Sequence, residues 1–200
     1  MATEATVGQP EQIVQGQGKY KLEEHIATGG LAEVWRARAI EGPAKGRTVA
    51  LKFPLKPEYA DELRREAEMV DRLWHELPSI LPTQNIAVVE LIEHGDSSTN
   101  GYFIAMRYYD RTSLNRLYGR QLVPPEVMAS VLQAIAPTLD AAHNLQPPAA
   151  HRDIKLSNVL LDSSGRIVLA DFSPDESVAG SSYGGRGDAL GASFCEAESV

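Results

Sequence analysis

A single cysteine, Cys195, occurs in 200 residues, which excludes an internal disulfide and a cysteine-based metal site and suits a reducing compartment. Basic residues are in deficit. Nineteen Lys and Arg against 27 Asp and Glu leave a formal charge of −8, so no nucleic-acid surface is expected. No apolar run is long enough to cross a bilayer, and the first residues lack both a basic n-region and an apolar h-region. These absences predict a cytoplasmic chain with neither a membrane span nor a secretory signal. What remains is ordinary for a globular protein: 43% hydrophobic and 23% charged residues, with enough length to bury a real core.

The most informative stretch runs from His151 to Ser173. Arg152, Asp153, Lys155 and Asn158 come first, then the short apolar run Val159-Leu160-Leu161. Asp162-Ser163-Ser164-Gly165 signals a turn, and a second run, Ile167 to Ala170, ends at Asp171. Two short runs around a Gly-containing turn predict a hairpin. Asp153 and Asn158 then lie on the loop entering it and Asp171 where it exits, which could gather two carboxylates and an amide at one end. Hard oxygen ligands in small number suit Mg²⁺, which shares its shell with substrate phosphates.

His-Arg-Asp, a downstream Asn, and Asp-Phe-Ser in place of Asp-Phe-Gly resemble the catalytic and metal-binding loops of protein kinases. The resemblance implies that Asp153 accepts the proton of a substrate hydroxyl, and that Asn158 and Asp171 hold Mg²⁺ on the phosphates of ATP. Lys155, two residues after Asp153, is similar to the Ser/Thr-kinase form of the loop. His151 is expected to be a buried structural histidine packed on Phe172, and Arg152 to bind a phosphate on an activation segment.

The chain ahead of this stretch resembles the same family. Residues 1–18 are polar, without period, and predict a flexible leader. Residues 19–107 predict a small lobe. Strands are expected around Tyr20 to Ile26, Val34 to Ile40 and Thr48 to Phe53, with two more at Ile86 to Leu91 and Tyr102 to Met106. The turn after the first strand resembles the glycine-rich loop that covers nucleotide phosphates, placing Ala27, Gly29 and Gly30 beside the cofactor. The family pattern has Gly at the positions of Ala27, Gly29 and Ala32, and only Gly29 matches. Gly30, Glu33 and Val34 fit the bacterial eukaryotic-like Ser/Thr kinases. Alanine adds a Cβ there and penalises positive φ.

Val49-Ala50-Leu51-Lys52 resembles the family's third-strand motif, with Lys52 on the α- and β-phosphates. A helix is expected from Pro57 to about Leu77, with apolar face Leu63, Ala67, Val70, Leu73 and Trp74. Glu66 shares that face, and a carboxylate on the core side of a helix needs a cationic partner. The resemblance supplies Lys52. It also places Val34, Ala50 and Leu160 around the adenine ring, Met106 at the gatekeeper position and Tyr108 in the hinge.

Residues 108–172 are expected to start a large lobe, with a short helix at Ser113 to Tyr118 and a longer one from Pro124. The longer helix should bury Val127, Val131, Leu132, Ile135, Leu139 and Ala142, and Pro137 should kink or divide it. Residues 173–200 are rich in Gly, Ser, Ala and acid, and read as an activation-segment-like or disordered tail without the Ala-Pro-Glu motif and later helices.

The expected fold is therefore α+β: a protein-kinase-like two-lobed chain with a five-stranded antiparallel small lobe, one key helix and an incomplete helical large lobe. The function implied is an ATP- and Mg²⁺-dependent Ser/Thr protein kinase acting on a protein hydroxyl, C-terminally truncated and inactive or weak as it stands. A partner is then expected to cover the exposed stripe of the large lobe. The alternative is a nucleotide-binding pseudokinase or scaffold module without catalysis.

Overall fold

The computed structural model describes residues 7–110 and 113–172. Six antiparallel strands form one sheet in the order β1-β2-β3-β4-β6-β5. They are β1 Ile13–Gln15, β2 Lys19–Thr28, β3 Ala32–Glu41, β4 Thr48–Pro54, β5 Leu91–Ser97 and β6 Gly101–Arg107. The central strand β4 explains the two-sided core. Val49, Leu51 and Phe53 enter one apolar cluster with Val14, Leu22 and Trp35, while Ala50 enters the other, with Ile104 and Met106. Period-2 alternation on a strand covered on both faces sends successive residues to different cores. A fully buried side chain such as Phe53 contributes about 1.5–3 kcal/mol.

Helix α1, Ala60–Glu76, lies on the second face and buries Leu63, Ala67, Val70 and Leu73 at helical spacing. A 3-10 turn at Pro57–Tyr59 leads into it, and a second at Leu77–Ser79, containing Pro78, follows it. Trp74 donates its Nε1–H to the carbonyl of Val89 at 2.7 Å, fixing the helix to the following chain. The large-lobe elements are α2 Leu114–Tyr118, α3 Pro125–His143 and the hairpin β7 Val159–Leu161 with β8 Ile167–Leu169. Ser113 caps α2, its Oγ accepting from the Arg116 N–H at 3.4 Å.

Three expectations are corrected. The sheet has six strands rather than five, because residues read as a flexible leader supply β1. Val14 is fully buried there, and Ile13, Val14 and Gln15 pair with Lys21, Tyr20 and Lys19. The polar composition of the segment hides this, since the adjacent Ile13 and Val14 among glycines and glutamines show no period.

The strand expected at Ile86 to Leu91 begins only at Leu91 and runs on to Ser97. Ile86 to Val89 instead run beside the hairpin. Val88 bridges Leu169 in parallel, Val89 N–H donates to Leu169 O at 3.0 Å, and Leu169 N–H donates to Ala87 O at 2.9 Å. Finally, Leu132 is exposed rather than buried, and α3 runs unbroken through Pro137, so of the kink or division expected there the division does not occur. The carbonyl that Pro137 deprives of a donor belongs to Gln133, which is exposed and open to water. Thr138 takes a buried place that an apolar pattern could not predict.

Candidate nucleotide and phosphoryl-transfer site

Lys52 projects from β4 toward α1 and the end of the hairpin. Its Nζ donates to Glu66 at 2.8 and 2.7 Å and to Asp171 Oδ1 at 2.8 Å. The Lys52 and Glu66 side chains are 11% and 14% exposed, whereas Asp171 is 48% exposed, so only the first pair is withdrawn from water. Burial pulls the Lys52 pKa down, but the charges of Glu66 and Asp171 outweigh it and raise the ammonium above its ordinary value. Burial, reinforced by Asp171, pushes Glu66 up despite the lysine. For Asp171 burial also raises the pKa, yet Lys52 prevails and holds the carboxyl below the ordinary range. One cation serves two carboxylates, and the more exposed one keeps its charge more firmly.

The hairpin and the loop before it set the other groups. The His151 ring lies 4.4 Å from the fully buried Phe172 ring, and its Nε2 is 2.8 Å from the Ala170 carbonyl. A carbonyl only accepts, so Nε2 carries the proton and Nδ1 is left to accept the Asp153 N–H at 3.3 Å. Burial lowers the His151 pKa, consistent with this neutral tautomer. The ring thus ties the backbone of Asp153 to the residue preceding Asp171. Arg152 and Asp171 both sit at positive φ, 64° and 59°, a conformation that costs non-glycine residues free energy and persists where the surroundings enforce it.

Asp153 Oδ2 accepts from Lys155 Nζ at 2.6 Å and from Asn158 Nδ2 at 3.2 Å. Asn158 is 3% exposed and also donates to the Asp153 carbonyl at 2.9 Å, so its amide nitrogen is committed and its Oδ1 is turned the other way. Ala170 N–H donates to the Asn158 carbonyl at 2.9 Å, bringing the loop and the chain before Asp171 together.

The residues assigned to adenine also converge. Ala50 and Met106 are buried in one cluster, with Val34, Tyr108 and Leu160 packed against it. Val34 lies opposite Lys52, and Ala50 opposite Met106, across neighbouring strands. At the turn between β2 and β3, Gly29 N–H donates to Ala32 O at 2.8 Å, and a Cβ on Gly30 would meet open space. None of residues 27–32 has a positive φ, so the conformational penalty expected for Ala27 and Ala32 does not arise.

The sequence places Asp162 only at the start of a turn, and the structure gives its carboxylate a further task. The residue is 3% exposed and accepts from Ser164 N at 3.0 Å, Arg166 N at 2.9 Å and Arg107 Nη2 at 3.0 Å. Burial alone would raise its pKa, but these donors hold it below the ordinary carboxylate range. It therefore closes the hairpin turn and ties it to the end of β6. The Asp-x-x-Gly spacing was the available signal. Nearby, Asp110 accepts the Ser163 N–H at 2.8 Å, and that bond lowers its pKa. A polar cleft of about 520 Å³ opens at this junction between Arg36, Arg38, Tyr108 and Ser163. The residues from Ser173 onward, including Ser177, Ser181, Ser182 and Tyr183 as possible partners of Arg152, lie outside the described residues.

A two-lobed chain with a lysine–glutamate pair behind a glycine-containing turn, and an Asp/Asn loop beside a hairpin, is the architecture of a protein kinase. The family described as the protein kinase domain matches residues 20–183, and the chain belongs to it. Among similar proteins, the serine/threonine-protein kinase PknD of Mycobacterium tuberculosis is 36% identical over 171 residues, covering 80% of this chain and 23% of that protein. The serine/threonine-protein kinase PknH of Mycobacterium bovis is 32% identical over 162 residues, covering 78% and 24%. The tyrosine-protein kinase MasK of Myxococcus xanthus is 30% identical over 176 residues, covering 80% and 26%. The chain spans about a quarter of the length of these relatives. Among the described residues no helix is long and apolar enough to cross a membrane.

Proposed function

We propose that this chain binds Mg-ATP between its lobes and transfers the γ-phosphoryl group to a serine or threonine hydroxyl of a protein. The observation that carries the reading is the Lys52 ammonium, held at 2.7–2.8 Å by Glu66 of α1 and by Asp171 just beyond the hairpin. A cation oriented by two carboxylates is ready to meet phosphate oxygens without reorganising. Val34, Ala50, Met106 and Leu160, gathered in one apolar cluster, are the side chains that would pack on adenine. The backbone at Tyr108 offers hydrogen-bonding groups at its edge, and Ala27, Gly29 and Gly30 form the covering turn.

Asn158 Oδ1 and the Asp171 carboxylate fit Mg²⁺ as hard oxygen donors, and no cluster of three or more His, Cys, Asp or Glu competes among the described residues. When bound, Mg²⁺ neutralises charge developing on the phosphates. Asp153 orients the substrate hydroxyl and takes its proton. Lys155, 2.6 Å from Asp153, is placed to leave that carboxylate for the transferring phosphoryl. Transfer to serine or threonine rests on Lys155 and on the PknD and PknH likeness, and MasK keeps tyrosine as the competing acceptor.

A nucleotide-binding module without catalysis is the second reading, favoured by the two alanines of the covering turn. The absence of positive φ at Ala27 and Ala32 weakens it. One experiment separates the readings. Mg-ATP should raise the thermal midpoint of the wild type and of Asp153→Asn, but much less that of Asp171→Asn. Labelled phosphate should reach a basic protein substrate with the wild type and not with Asp153→Asn. No thermal shift at millimolar Mg-ATP removes both readings, and a shift without transfer leaves the second.

A further inference from the structure

Residues 7–18 close the small lobe on the face of the sheet opposite α1. Strand β1 is the edge strand beside β2, while Gly18 N–H donates to Glu93 of β5, the opposite edge, at 3.1 Å. Gln12 Nε2 reaches Asn100 Oδ1 at 3.1 Å in the turn between β5 and β6, and Asn100 Nδ2 returns to the Val7 carbonyl at 3.4 Å. The segment thus joins the two ends of the curled sheet and seals the cluster around Val14, Trp35 and Phe103. Its fit is close. A Cβ on Gly8 would stand 2.8 Å from Leu22 Cδ1 and from Trp35 Nε1, and one on Gly16 would stand 2.5 Å from the Phe103 ring.

The strap has one polar anchor on β3, and that anchor is Glu33. It is fully buried, and its Oε1 accepts the Gly8 N–H at 2.6 Å and the Trp35 Nε1–H at 3.0 Å. No cationic side chain pairs with it among the described residues. Its Oε2 is buried without a hydrogen-bond partner, so the two N–H donors on Oε1 hold the carboxylate by strong, directional bonds, and losing them would leave the whole group costly. Glu33 follows Ala32 and precedes Val34, at the root of the turn that holds Gly29 and Gly30. Its backbone is paired with Thr28 on one side and Phe53 on the other. Fixing the Glu33 side chain on the outer face therefore fixes where Ala32 and Val34 stand on the inner face.

We infer that residues 7–18 are a positioning element for the nucleotide-covering turn, acting through Glu33 as a positioning residue. This rests on the nucleotide reading above. A turn held in its covering position by the strap spends more of its time competent to bind, and apparent affinity scales with that competent fraction. Release of the strap weakens nucleotide binding although no strap residue touches nucleotide.

The test uses the full chain in four forms: wild type, Glu33→Leu, Glu33→Gln and Gly8→Ala. Glu33→Gln keeps an acceptor oxygen for both donors. Gly8→Ala pushes the strap off Leu22 and the Trp35 ring while leaving the Glu33 side chain intact, and so serves if Glu33→Leu fails to fold. Mg-ATP dissociation constants, thermal midpoints and amide exchange over residues 26–34 are measured for each. Expected are roughly tenfold weaker Mg-ATP binding in Glu33→Leu and Gly8→Ala, a value within about threefold of wild type in Glu33→Gln, and faster exchange of residues 26–34 in the two weakened forms. Lower thermal midpoints with unchanged affinity and unchanged exchange in 26–34 would overturn the inference and leave the strap a cover for the core only. If the wild type itself fails to bind Mg-ATP, the nucleotide reading fails. The exchange comparison then decides alone whether the strap controls the turn.

Discussion

Deleting the Lys52 ammonium leaves Glu66 buried beside a second carboxylate with no cation between them. Breaking a buried pair by removing one partner costs about 3–5 kcal/mol, and the lower end applies here because Asp171 is half exposed and can turn to water. Lys52→Met is thus expected to lose about 3 kcal/mol in urea unfolding. Adding Glu66→Gln should restore much of the loss, since the uncompensated charge is then gone. Equal losses in the single and double variants would show that the pair is not coupled.

His151 carries the second residue-scale prediction. Its folded pKa lies below the ordinary value because the ring is buried between Phe172 and the Ala170 carbonyl. A group that binds its proton better when unfolded contributes fully above its unfolded pKa, about 6.5, and loses that contribution as pH falls through the folded value. Denaturation midpoints measured between about pH 7.5 and 5.5 should fall with acid in the wild type and fall less in His151→Asn. Parallel curves would assign the acid sensitivity elsewhere.

Elements are joined by a few buried polar contacts as much as by apolar packing. Thr138, fully buried on α3, accepts the Ala87 N–H at 2.8 Å and donates to the Asn85 carbonyl at 3.1 Å. One hydroxyl thereby holds the segment after α1 against α3. Thr138→Val keeps the shape and strands a buried N–H, so it should cost about 1–3 kcal/mol, while Thr138→Ser should cost less. Urea unfolding followed by circular dichroism checks both, and a neutral Thr138→Val would mean that water reaches the Ala87 N–H. Asp162 does comparable service for the hairpin, where one side chain gathers the turn amides and the Arg107 guanidinium.

The same reasoning shows what could be read at this scale. Helix α1 was legible because four apolar residues at helical spacing and a following proline agree. The hairpin was legible because two short apolar runs flank a glycine turn. Strand β1 was not, because its single buried valine produces no pattern. The chain from Ile86 to Val89 misled for a different reason. An apolar run buried on all sides carries no face preference, so its partner, here Leu169, lies beyond local inference.

For the molecule as a whole, the two lobes share a core. One continuous cluster contains Ala50 of β4, Val70 of α1, Ile135 of α3, and Leu169 and Phe172 at the hairpin. Backbone bonds between Val89 and Leu169 and the Arg107–Asp162 pair cross the same boundary. A boundary that is packed rather than hinged on a linker predicts one cooperative transition. Calorimetry should show a single unfolding peak whose calorimetric and van't Hoff enthalpies agree. Two resolved peaks would mean that the lobes unfold separately.

The amino-acid sequence by itself determined which chemical groups are available and roughly where the chain turns. Lys52, Glu66, Asp153, Asn158 and Asp171, the alternation of β4 and the apolar face of α1 are all local facts, carried by residue type and spacing. Only the tertiary structure decided which of those groups meet. Lys52 and Asp171 are separated by 119 positions yet lie 2.8 Å apart, and Gly8 and Glu33 by 25 positions yet lie 2.6 Å apart. Such meetings depend on how the sheet curls and how the hairpin packs beneath it, and these are properties of the whole core. A buried charge adopts whatever partner that packing brings within reach, and spacing along the chain carries no record of it.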